Sequence, residues 1–135
     1  LLKPNTFMNN SGLAVTEIVK FYKINLSDLI VFQDDLDISF GKIKIKKDGG
    51  HAGHNGIRSI HLGLGPSYVR VRIGIGRPSS KTMVSSYVLS DFSDHEHPKL
   101  DLIFHAFQTN LEHLLHGDLE SFSTLFNNSI KLLEK

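Results

Sequence analysis

A glycine-rich turn, GGHAGHNG at 49–56, stands between two stretches that alternate apolar and cationic residues, KIKIKK at 42–47 and VRVRIGIG at 69–76. Alternation with period two sends successive side chains to opposite faces of a strand. Lys42, Lys44 and Lys46 therefore share one face and Ile43 and Ile45 the other, while Arg70 and Arg72 share a face with Gly74 and Gly76. Lysines alone would serve equally well to keep an edge strand from pairing. A second cationic strand face changes the balance, because arginine can grip a phosphate with two parallel hydrogen bonds while lysine acts on it as a point charge. A turn carrying His51, His54 and Asn55 between two such strands is the arrangement expected of a site for a phosphate-bearing ligand.

The rest of the chain reads as helices and strands around that unit. Apolar residues at Ala14, Ile18, Phe21 and Tyr22 predict an amphipathic helix from Asn9 to Tyr22, with Ser11 or an asparagine as N-cap. Leu29 to Phe32 is a continuous apolar run, read as a strand buried on both faces, and it ends at Gln33-Asp34-Asp35. Residues just past such strand ends form sites in open α/β sheets. Asn55 is placed to cap a helix from Gly56 to Leu64. Pro78 and two serines break the chain after the second cationic strand. A long helix with Leu100, Ile103, Phe104, Phe107, Leu111, Leu114 and Leu115 then stops at Gly117, and a last helix uses Leu119, Phe122, Phe126, Ile130 and Leu133. The expectation is one α/β domain over residues 1–135, a twisted, mixed, mostly parallel sheet flanked by helices. LLKP at the start reads as the end of a strand running into a turn, so the domain is expected to lack an upstream portion.

Several functions are excluded. The absence of cysteine removes disulfides, thiolate metal sites and a cysteine nucleophile. Asp34, Asp35 and Asp37 do not make a calcium loop: counted from Asp35, the glycine at 41 comes one place late and Lys46 stands where the closing glutamate is needed. Asp35 and Asp37 serve equally well as turn caps, and Asp34, nearest the strand end, is the better candidate to orient a histidine. His95 and His97 read as solvated residues at a helix start, and His105, His113 and His116 as surface residues. GIGRPS lacks the third glycine and the following helix of a dinucleotide site. No cofactor and no metal are expected. With a net charge of only +1, any affinity for nucleic acid must come from clustering of the cations. No apolar run approaches the about eighteen residues of a membrane span, and a cytoplasmic location is expected.

Four segments in order, KPNTFMNNSG, QDDLDISFGKIKIK, GGHAGHNGIRSI and YVRVRIGIGRP, resemble those of bacterial peptidyl-tRNA hydrolase, and the likeness covers essentially the whole chain. That family cleaves the ester joining a peptide to the terminal ribose of tRNA. The resemblance implies that Asn9 contacts substrate near the scissile ester and helps stabilise the developing oxyanion. It implies that Asp34 holds the catalytic histidine in its working tautomer. His54 and Asn55 would contact the peptide backbone or position the attacking water. Lys44, Lys46 and Arg72 would clamp the tRNA 5′-phosphate. The implied partner is peptidyl-tRNA, met at its acceptor stem and 5′-phosphate by a monomer with no membrane association.

The chain departs from the family in one respect: the upstream TRHN motif with the general-base histidine, and the GLGNPG motif, do not occur in these 135 residues. Two expectations follow. The first is a peptidyl-tRNA hydrolase recorded without its N-terminal part; the alternative is a non-catalytic RNA-binding relative that has lost the general base. The residue types suit the ester chemistry, which needs no metal but does need a held water, a base titrating near neutrality and donors aimed at the carbonyl oxygen.

Overall fold

The structure, a computed structural model, describes residues 1–133; the side chain of Leu133, assigned above to the apolar stripe of the last helix, lies outside the described residues. Three strands, β1 (Ile30–Asp35), β2 (Ile43–Lys47) and β3 (Val69–Gly74), form a sheet in the order β1-β3-β2. The Val69 N–H donates to the Leu29 carbonyl and the Ile75 N–H to the Asp35 carbonyl, so β1 and β3 advance together and are parallel. The Gly74 N–H, at the end of β3, donates to the Lys42 carbonyl, just before β2, and that pair is antiparallel. Helices flank this mixed sheet, and the fold is α/β.

By internal packing the chain divides into two compact units, Leu1–Gln33 with Ile45–Arg72, and Asp34–Lys44 with the chain from Ile73 onward. The first is built on α1 (Ser11–Phe21) and α2 (Asn55–Leu64). The chain enters α1 through a 3-10 turn at Met8–Asn10, and the Ser11 hydroxyl donates to the Met8 carbonyl at 2.7 Å. The buried face of α1 is Ser11, Gly12, Val15 and Val19, one position away from the expected stripe, and Phe21 is 76% exposed. The reason is closeness of approach. The Gly12 N–H donates to Ser59 Oγ at 2.8 Å, and a Cβ on Gly12 would overlap the Ser59 carbonyl. Two backbones this near can meet only where side chains are small or absent, which sets Ser11 and Gly12 in the contact, leaves Ala14 and Ile18 half-buried and turns Phe21 and Tyr22 outward. Val15, Val19, Ile57, Ile60 and Tyr68 form the core of this unit, with Ile24, Leu29, Val31 and Leu64 packed against it.

β1 is not buried on both faces. Ile30 and Val31 are half-buried, and Phe32 remains 45% exposed.

In the second unit, α4 (His97–Leu115) starts with Pro98 in its first turn, where the missing N–H costs nothing, and stops before Gly117 at φ 78°. α5 (Leu119–Leu133) follows. Phe107 lies 5.9 Å from Phe122 and 4.8 Å from Phe126 between ring centroids, and Asn110 satisfies its buried amide on the Ala106 carbonyl and Ser129 Oγ. A short helix, α3 (Val84–Val88), was not expected from the segment after Pro78; the Tyr87 hydroxyl ties it to the Ile75 carbonyl at the end of β3.

Gly12→Ala is expected to destabilise the protein by about 3 kcal/mol, the upper part of the usual overpacking range, because the obstacle is backbone. Leu13→Ala, at an exposed position, is expected to stay within about 0.5 kcal/mol. Urea unfolding of both variants checks the pair, and equal effects would remove the close approach as the reason for the α1 register.

Candidate functional site

The segment between β2 and α2 is held in a conformation few residues adopt. Asp48, Gly49, Ala52 and Gly53 all have positive φ, at 59°, 89°, 47° and 80°. Glycine does this freely; Asp48 and Ala52 each carry a cost of about 1–2 kcal/mol. Hydrogen bonds offset it. The Gly53 N–H donates to His51 Nδ1 at 3.1 Å, and the Ile57 N–H donates to His54 Nδ1 at 3.2 Å. His54, in extended backbone, is thus the N-cap of α2, in place of Asn55, which the structure puts inside the first turn. A neutral imidazole has one lone pair. In both histidines it faces a backbone N–H, so the proton resides on Nε2.

The same helix entrance receives the Met8–Asn10 turn. A Cβ on Gly56 would stand 2.5 Å from Met8 Sδ and 3.1 Å from His54 Cε1, so the absence of a side chain at Gly56 is what lets the turn bearing Asn9 lie against His54. Asn9 and Asn55 are both exposed. The first unit therefore brings the segments of Asn9, His54 and Asn55 together. Met8 and Gly56 were missed in the sequence, because neither carries a group that signals chemistry.

The cationic face also belongs largely to this unit. Lys46 is exposed and Arg72 half-buried, and Lys46 Nζ lies across Gly49, 2.9 Å from where a Cβ would be. Arg70, expected beside Arg72 on an open face, is instead 2% exposed: its guanidinium donates to the Asp48 carbonyl at 2.9 Å and to Gln33 Oε1 at 3.4 Å. The alternation placed it on the right face but could not show that the loop folds back over it. His61 and Tyr68 adjoin it, with ring centroids 5.6 Å apart and His51 6.2 Å from His61. Burial first, then the Arg70 charge and then His51, hold the His61 imidazole below its ordinary value. Burial pushes the Tyr68 phenol up to about 12, against the opposing pull of Arg70.

Asp34 and Lys44 fall in the second unit, Asp34 half-buried and Lys44 exposed. There Asp35 is a turn residue, its Oδ1 accepting the Asp37 N–H at 2.8 Å, and Asp37 pairs with Arg77 at 2.6 Å. Among the described residues no three histidine or carboxylate side chains gather as a metal site, and no helix is long and apolar enough to cross a membrane.

Because the folded state keeps His61 neutral below the ordinary imidazole value of 6.5, the unfolded chain takes up its proton first as the pH falls. The His61 contribution to stability is expected in full above about pH 6.5 and to fade below it. His61→Gln should therefore cost more stability at pH 7.5 than at pH 5.5 in urea unfolding; a pH-independent cost would show that burial, Arg70 and His51 do not lower this ring's pKa. His54→Ala should cost about 1 kcal/mol and His54→Asn much less, as for any N-cap.

Comparison with known proteins places this arrangement. The family model for peptidyl-tRNA hydrolase matches residues 1–133. The peptidyl-tRNA hydrolase of Dinoroseobacter shibae is 51% identical over 122 residues, covering 90% of this chain and 52% of its own length, and that of Aliarcobacter butzleri is 49% identical over 125 residues, covering 92% and 68%. The crystal structure of peptidyl-tRNA hydrolase from Acinetobacter baumannii aligns with a TM-score of 0.82 at 39% identity, over 92% of this chain and 63% of that one. The chain thus spans between about half and two thirds of the length of these relatives, and across nearly all of its own it carries their sequence and their fold: it belongs to the peptidyl-tRNA hydrolase family.

Proposed function

We propose that this chain is the substrate-holding part of a peptidyl-tRNA hydrolase, which cleaves the ester between peptide and tRNA in the cytoplasm and so recycles tRNA during translation. The observation that carries this reading is the seating of the Asn9 turn against the first turn of α2 at Gly56, beside His54 and Asn55. Two asparagines at one helix entrance offer donors to a carbonyl oxygen and a peptide backbone without adding charge. In this reading Asn9 stabilises the oxyanion and Asn55, with His54, orients peptide or water. Asp34 holds the general-base histidine. Lys44, Lys46 and Arg72 receive the 5′-phosphate of the acceptor stem, and the protein acts as a monomer.

The loop histidines favour a second reading for the chain by itself. A general base must present a lone pair to water, and His51 and His54 both direct theirs to backbone N–H groups. Residues 1–135 alone therefore fit an RNA-binding module, the role a non-catalytic relative would keep. Peptide release by the complete gene product discriminates the two.

The 135-residue chain is expected to bind acceptor-stem RNA and to release no measurable peptide from peptidyl-tRNA. Release that disappears in His51→Ala or His54→Ala would move the general base into this chain. Binding should weaken with salt, with a log–log slope of about −0.9 for each duplex phosphate neutralised. Lys46→Ala combined with Arg72→Ala should flatten that slope by about two contacts. An unchanged slope, or equal affinity for RNA with and without the 5′-phosphate, counts against the clamp.

A further inference from the structure

Lysine is a poor choice for an exact contact unless something limits its four-carbon stem. Here a bare glycine leaves a place for its tip. A Cβ on Gly49 would stand 2.6 Å from Lys46 Cε and 2.9 Å from Lys46 Nζ, so the end of the lysine occupies the place a side chain at 49 would take. The same point is 3.7 Å from Arg70 Nη2. That nitrogen does not drift, since Arg70 is 2% exposed and its guanidinium donates to the carbonyl of Asp48, the residue just before Gly49. Arg70 thus anchors the turn from beneath, Gly49 at φ 89° supplies a bare surface, and Lys46 lies on it.

We propose that Gly49 is a positioning residue for Lys46: by lacking a side chain it leaves over the turn the place that the lysine tip occupies, from which the ammonium meets a single phosphate. This rests on the reading above that Lys46 meets the tRNA 5′-phosphate. It adds that the glycine before His51 is required for a contact made by a residue three places earlier. Any side chain at 49 displaces the lysine tip, which is flexible, and also strains a backbone held at φ 89°.

The test is binding of an acceptor-stem RNA hairpin, with and without its 5′-phosphate, to the full chain and to Gly49→Ala, Gly49→Asn, Lys46→Ala and the Gly49→Ala/Lys46→Ala double variant. Asparagine tolerates positive φ better than alanine, so Gly49→Asn separates the effect of the added Cβ from backbone strain. Both Gly49 variants are expected to bind the phosphorylated hairpin about tenfold more weakly, the size of one charge-assisted contact, and the unphosphorylated hairpin as the parent does. In the Lys46→Ala background, Gly49→Ala is expected to add nothing. If Lys46→Ala itself leaves the phosphate preference intact, the phosphate reading falls and this proposal with it. If Lys46→Ala removes the preference but the Gly49 losses add to it, or fall equally on both hairpins, or are absent, the clamp stands and Gly49 has no part in seating it.

Discussion

The conformation of the loop from Asp48 to His54 is the constraint on which the rest of the site depends. Four of its residues sit at positive φ, two of them with side chains, and such a backbone persists only where its polar groups find partners. Three contacts provide them. The buried Arg70 guanidinium takes the Asp48 carbonyl, His51 accepts the Gly53 N–H, and His54 accepts the Ile57 N–H as the cap of α2. The loop thereby delivers Asn55 at the first turn of the helix and lays Gly49 under Lys46.

Those contacts also assign chemistry. His51 and His54 each turn Nδ1 to a backbone N–H and so shape the loop. The conspicuous histidines of GGHAGHNG therefore orient what surrounds them, and the groups left facing outward are amides and ammonium ions. Amides and ammonium ions are hydrogen-bond donors, suited to an oxygen on which charge develops. His61, held neutral by burial and by the Arg70 charge, belongs to the support beneath the loop.

Around this loop the helices meet by absence of side chains as much as by apolar packing. Gly12 admits the Ser59 backbone to α1, and Gly56 admits Met8 to α2, so the turn bearing Asn9 is placed with the help of two residues that have no side chain. In the other unit the work is done by bulk, with Phe107, Phe122 and Phe126 packed together and Asn110 satisfied among them.

Much of this was legible in the sequence. Period-two alternation located β2 and β3 and separated Ile43 and Ile45 from the lysines, because a strand has only two faces. Pro98 and Gly117 bracketed the long helix, and four ordered motifs identified the family. What the sequence could not decide is which members of a periodic set are covered. Arg70 and Arg72 are equivalent by alternation, yet Arg70 is 2% exposed beneath the loop and Arg72 half-buried; Phe32 continues an apolar run, yet it is 45% exposed. His54 and Asn55 were both available as caps, and the extended backbone at His54 chose between them. Local periodicity reports the direction of a side chain because backbone geometry dictates it, whereas burial and hydrogen-bond partner depend on segments distant in the chain, which only the tertiary structure brings to that place.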